Sequence, residues 1–395
     1  MKIRITPEIV TGKMSSITLA ASLCIALTAN PTFAGSIERI SVDSGSIQFN
    51  YTTTFNLALS ADGRYVVFNA NVASGSSSQA HTYLHDRATG ITESVTIGND
   101  GSNVQHSGPI DISDDGRYVV FASSYLDGSN NLDVYVRDRT TSTTERISVA
   151  SDGNPSTVGS GAGGISISGN GRYVTFVSPA SDIVDGDTNG ETDVFVRDRV
   201  TGTTQRVNIA SDGTQANGND NSVGINARIS TDGRYIVFNT PTSNLVPNDT
   251  NGKSDIFIHD RLNGTTTRVN LANDGAQSIG HDDWFELSSD GRYVVFASFD
   301  SNLVANDNNG TNDIFVRDLV MGTTELVSIA DDGSQANSFS AYPSISANGR
   351  YVSFNSIANN LVAGGTPQAL AIFVRDRIAN TTEMIDTPHD GSAAN

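Results

Sequence analysis

The chain has 395 residues, one cysteine, 37 glycines and 10 prolines, and its 43 acidic against 24 basic side chains give a net charge of −19. That acidic excess leaves no electrostatic footprint for nucleic acid or an anionic lipid surface, because both need clustered Lys and Arg. A single cysteine excludes a disulfide scaffold, and the length implies two or three domains unless the chain is one long repeat architecture.

The first element is a targeting segment. Lys2, Arg4 and Lys13 precede an apolar run from Ile17 to Ala29, followed by Pro31-Thr32-Phe33-Ala34. This order predicts a secretory signal peptide over residues 1–34, cleaved near Ala34, and a mature chain 35–395 in the periplasm or the medium. The run is too short and too rich in Ser and Thr to stay as a membrane anchor, which needs about 20 apolar residues. Cys24 lies inside it, so the mature chain is cysteine-free.

Beyond the signal, one phrase occurs six times. It reads Ser-x-Asp/Asn-Gly-Arg-Tyr-Val-x-Phe, then a variable stretch, then Asp-Val/Ile-Phe-Val-Arg-Asp-Arg, then Thr-Gly-Thr-Thr-Glu-Arg-Val-Ser. Its turn glycines, Gly63, Gly116, Gly171, Gly233, Gly291 and Gly349, recur every 53 to 62 residues. Such self-similarity marks one architecture rather than several domains. Each unit predicts four short strands, which in the second unit are 109–113, 117–123, 133–139 and 144–150. Tyr, Val and Phe alternate in the second strand with the period of a packed sheet. Asp-Gly-Arg supplies the tight hairpin between the first two strands, and Thr-Gly the turn between the last two.

Six antiparallel four-stranded units in series predict an all-β fold, a single six-bladed β-propeller. The blades fall at about 55–98, 108–150, 163–210, 225–272, 284–330 and 342–387. The N-terminal phrase Ile37-Glu38-Arg39-Ile40-Ser41-Val42 copies the outer strand Glu145-Arg146-Ile147-Ser148-Val149, which is what ring closure uses; the C-terminal phrase 382–387 is a second copy. The phrases Ser113-Asp-Asp-Gly-Arg-Tyr-Val-Val-Phe and Asp193-Val-Phe-Val-Arg-Asp-Arg-Val-Thr-Gly resemble the WD-like propeller repeats of the TolB family of bacterial periplasmic proteins. The resemblance covers roughly residues 36–391 and implies the fold, but the same repeat serves scaffolds, lyases and peptidase gating domains. No separate N-terminal α/β domain fits between Gly35 and Ser60. No Gly-x-Ser-x-Gly elbow follows the repeats, so peptidase activity is not expected.

Residues present in every blade are expected to serve the blade. The third-strand pairs Arg137-Asp138, Arg197-Asp198, Arg317-Asp318 and Arg375-Asp376, with His85-Asp86 and His259-Asp260 as variants, read as structural bonds between strands or blades. The loop between the second and third strands carries the sharpest chemical pattern. In blade three it supplies Asp185, Asp187, Asn189 and Asp193, oxygen side chains alternating around a turn glycine as in an EF-hand loop. Blade four keeps Asp249, Asn251 and Asp255, and blade five keeps Asp307, Asn309 and Asp313. These loops are expected either to hold structural calcium, tightest in blade three, or to be acidic Asx-turn hairpins.

Departures from the repeat gather before the inner strands. Blade five has His281, Asp282, Asp283 and Trp284, the only tryptophan, and blade two has His106. Ala58, Asp111, Ser166, Arg228, Glu286 and Ser344 occupy equivalent positions and are expected to ring the central channel. The expected function is a monomeric binding module for an envelope protein or a polysaccharide, using Trp284, Asp282, Asp283, Arg228 and His106. The competing reading is a carbohydrate-active lyase or hydrolase at the channel mouth, using Asp111, Glu286 and His281.

Overall fold

The computed structural model describes residues 2–3, 36–37, 57–74, 77–105, 108–126, 128, 131–161, 163–218, 225–280, 282–365 and 370–385. Apart from residues 2–3, the signal-like segment lies outside the described residues, as do residues 38–42 of the N-terminal outer-strand phrase, His106 and His281.

Six four-stranded antiparallel sheets follow one another along the chain, each drawn from contiguous sequence. In blade three the strands are Ser166–Ile167, Tyr173–Ser178, Asp193–Asp198 and Thr203–Arg206. Blade six takes its outer strand, Thr381–Met384, from its own C-terminal phrase. Outer strands are shorter than their sequence suggests, because the chain leaves the ladder and makes a second hairpin, bridged in blade three between Ile209 and Gln215. Among the described residues no helix is long and apolar enough to cross a membrane.

The repeated turn satisfies its own polar groups. In blade four the Ser230 hydroxyl donates to Asp232 at 2.6 Å, Asp232 accepts from the Arg234 amide at 2.9 Å, and the Tyr235 amide donates to Ser230 at 2.9 Å. Serine, aspartate and glycine are therefore the residues this turn selects. Gly233 is required twice: its φ is +76°, and a Cβ there would lie 2.0 Å from the Tyr173 ring of the preceding blade.

The arginine of the same turn grips the third strand. Arg234 makes two bonds to Asp260, of 2.9 and 2.6 Å, and the same bridge joins Arg64 to Asp86, Arg117 to Asp138, Arg172 to Asp198, Arg292 to Asp318 and Arg350 to Asp376. Adjacent Arg and Asp on a strand point to opposite faces and cannot serve one another. The neighbouring Arg137, Arg197, Arg317 and Arg375 instead donate to Thr144, Thr204, Thr324 and Thr382 at 3.0 to 3.2 Å. His85 and His259 fill this slot with Nδ1 at 2.8 and 2.9 Å from Thr92 and Thr266. Burial pushes His259 down to about 4, so it is neutral at pH 7.

Blades join through aromatic and apolar packing. Tyr65, Tyr118, Tyr173 and Tyr293 each lie between an arginine of their own blade and one of the next, with guanidinium-to-ring distances of 4.3 to 4.8 Å. At Tyr235 the following blade offers Leu319 instead, which packs into the apolar core shared by blades four and five. The inner strands of blades five and six, Asp282–Leu287 and Ser340–Ile345, have six residues against two or three elsewhere, and each carries a bulge.

Candidate functional site

The inner strands enclose an axial cavity of about 210 Å³, lined among others by Ala58, Asp111, Ser166, Arg228 and Glu286. Asp111, Arg228 and Glu286 are satisfied within the wall, while burial, with Asp115 beside it, pushes up the carboxyl of Asp114, which also lines the cavity. Arg228 Nε donates to Glu286 Oε1 at 2.7 Å, joining blades four and five. Asp111 Oδ2 accepts from the Ser166 hydroxyl at 2.8 Å and the Ile167 amide at 3.0 Å, and its Oδ1 accepts from the Ile112 amide at 2.8 Å. Burial pushes the Asp111 carboxyl up, against the pull of these donors and of Arg228. The cavity is smaller than the roughly 300–1,000 Å³ of pockets that enclose organic ligands.

The three acidic loops, alike in sequence, differ in structure. In blade three Arg206 Nη1 lies 3.0 Å from Asp187 and 2.9 Å from Asp193. Asn208 and Asn189 donate to Asp193 at 2.6 and 3.2 Å, while Asn189 Oδ1 accepts from the Glu191 amide at 3.1 Å. Asp185 is exposed at the tip. In blade four Arg268 lies 2.9 Å from Asp249 and 3.4 Å from Asp255. Asn270 and Asn251 donate to Asp255 at 2.6 and 3.1 Å, and burial raises Asp255 to about 6.

Blade five has Leu326 where the other two have the arginine, since Leu326 faces Phe315 as Arg206 faces Phe195. Its buried Asp307 and Asp313 share the Gln335 amide, at 2.6 and 3.0 Å. Asn309 and Ser328 donate to Asp313 at 2.6 and 2.7 Å. Burial first, with Asp307 adding to it, raises Asp313 to about 6. As a donor set for a hard cation, blades three and four already hold a guanidinium between their carboxylates, and blade five does not. Sequence reasoning passed over Arg206, Arg268, Leu326 and Gln335; the signal was the fourth residue of each outer strand, which reads Arg, Arg and Leu.

Trp284 belongs to an aromatic string across blades five and six. Its ring centroid is 4.5 Å from Tyr342 and 6.5 Å from Phe339, which is 6.4 Å from Phe299. Trp284 is 37% and Phe299 59% exposed, and Phe339 and Tyr342 are half-buried. Asp282 and Asp283 precede Trp284 on the same inner strand, with Asp282 in register with Ser298. The expected binding residues therefore divide: Trp284 lies in the aromatic string, and Arg228 is committed to Glu286 in the channel.

No protein-family model and no curated protein matches the sequence. Among solved structures, the β-propeller domain of the trilobed protease from Pyrococcus furiosus is similar at 12% identity and a TM-score of 0.52, over 85% of this chain and 84% of that one. An acylaminoacyl peptidase from Pyrococcus horikoshii is similar at 11% identity and a TM-score of 0.50, over 87% of this chain but 47% of its own. TolB from Acinetobacter baumannii is also a neighbour, at 17% identity and a TM-score of 0.44, over 77% of this chain and 58% of that one. At these identities the likeness is one of fold: the chain is a six-bladed β-propeller with TolB, peptidase and lyase propellers among its structural neighbours.

Proposed function

We propose that this chain is an exported, monomeric, non-catalytic propeller that binds an envelope protein or a polysaccharide. The observation that carries this reading is the contrast between channel and aromatic string. A lyase or hydrolase needs an acid and a base free to exchange protons with substrate. Here Asp111 accepts three hydrogen bonds and Glu286 is held by Arg228. The exposed rings of Trp284 and Phe299 are instead surface that a partner can cover. Export rests on the charged, apolar and small-residue order of residues 2–34.

The test is affinity capture from the native envelope fraction with the processed chain, alongside a glycan-cleavage screen. Retention of one partner by both wild type and the Asp111→Asn/Glu286→Gln double variant is the expected result. A cleavage activity abolished by that double variant would replace the module with an enzyme.

A further inference from the structure

We propose that Phe299, Phe339, Trp284 and Tyr342 form a stacking platform for a neutral polysaccharide, a ligand class that rests on the binding-module reading. The fold does not require rings here. At the position of Trp284 and Tyr342, blades two, three and four have Pro109, Gly164 and Asn226 and still build the same sheets. The aromatics appear on the two blades whose inner strands are lengthened and bulged. Tyr342 also holds a φ of +53°, which is costly for a bulky side chain. Such local strain is concentrated at functional sites.

The chemistry around the rings favours uncharged sugar. Faces of pyranose rings carry C–H groups that pack on aromatic planes, and their hydroxyls need amide or carboxylate partners at the edge. Beside Phe339 lies an exposed amide cluster, in which Asn337 Nδ2 donates to Asn359 at 2.6 Å and the Asn337 amide donates to Asn360 at 3.0 Å. Phe339, just before the inner strand of blade six, is held near that cluster, since the amide of Ile357, two residues before Asn359, donates to its carbonyl at 3.1 Å. Among the described residues no Lys or Arg stacks on these four rings, although every hairpin tyrosine has one. With a net charge of −19, the chain repels an anionic polymer.

Trp284 is the only tryptophan, so its fluorescence reports on the platform without background. The probes are maltohexaose, cellohexaose and laminarihexaose, with polygalacturonate as the anionic arm and a proline-rich decapeptide as the protein-like arm. At least one neutral hexasaccharide should give a saturable shift. By calorimetry, Phe299→Ala and Trp284→Ala should each weaken its binding tenfold or more while keeping the wild-type circular dichroism spectrum. No binding of any neutral hexasaccharide, binding unchanged in Phe299→Ala, or a response only to polygalacturonate or the peptide each overturns the proposal. An envelope partner retained by the Trp284→Ala/Phe299→Ala double variant would leave the module reading standing and remove this one.

Discussion

Replacing Arg206 with leucine imposes on blade three the arrangement that blade five has naturally. Arg206 is nearly buried and its Nη1 lies 3.0 Å from Asp187, 2.9 Å from Asp193 and 3.1 Å from Gln215 Oε1. Removing one partner of a buried ion pair costs about 3–5 kcal/mol, because the remaining charge stays desolvated. Asn208 and Asn189 still donate to Asp193, and the Gln215 amide can turn toward the acids as Gln335 does, so the lower end, about 3 kcal/mol, is expected. At about 2 °C per kcal/mol for a chain of this size, the melting temperature should fall by about 6 °C. The assay is urea denaturation at pH 7, with melting as the second measure. The loss should shrink as pH falls, because burial already pushes the Asp187 carboxyl up and it takes up a proton, and adding Asp187→Asn should restore most of it. A loss under about 1 kcal/mol at pH 7, or a double variant no better than the single, would refute the idea that the arginine compensates the acid pair.

The pH dependence should have opposing limbs. Asp313 is raised to about 6, so its contribution is fully present below the unfolded value near 3.8 and is lost as pH rises through 6. Asp376 is held down to about 2 by Arg350, so its contribution is present above 3.8 and lost as pH falls toward 2. Melts from pH 3 to 8 should therefore peak between about 4 and 6, and because Asp255 is also raised to about 6, Asp313→Asn should shallow the upper limb and Asp255→Asn/Asp313→Asn should flatten it; a limb unchanged in Asp313→Asn would exclude Asp313 as a source. For calcium, a rise in melting temperature at millimolar calcium that survives Asp193→Ala but not Asp313→Asn would assign bracing to blade five, and no rise in wild type would remove calcium altogether. Gly233→Ala should cost about 2 kcal/mol or more through both φ and the Tyr173 contact, whereas Gly264→Ala, at φ +65° with no atom within 4 Å of the added Cβ, should cost about 1 kcal/mol. Equal losses by urea denaturation would show that the close approach to Tyr173 adds nothing.

The blades were legible because the turn phrase is local chemistry. Ser230, Asp232, Gly233 and Tyr235 act on one another within six residues, and their spacing survives in the sequence. Five of the six expected channel positions, all but Ser344, line the cavity, because equivalent positions in a repeat share a radius. Partner choice was less legible. The Arg137-Asp138 phrase reads as a bond between strands or blades, and it is one, but its partners were not legible: strand alternation sends the two residues to opposite faces, and Arg117 across the hairpin takes the carboxylate. The acidic loops looked ranked by their own donors, yet what distinguishes them is the residue at position 206, 268 or 326, on another strand. The aromatic string was visible only as Trp284, because Phe299, Phe339 and Tyr342 come from separate segments that meet through the sheet.

The missing second arginine at Tyr235 gives the ring a fault line. Among the five described junctions, the one between blades four and five has Leu319 in place of a cation over the tyrosine. Repeat arrays are held by nearest-neighbour interfaces, so they part where one interface is weakest. The Arg228–Glu286 pair and the Asn273–Thr324 bonds also cross this junction, so breaking them together should open the propeller between blades four and five before its arginine-clamped neighbours.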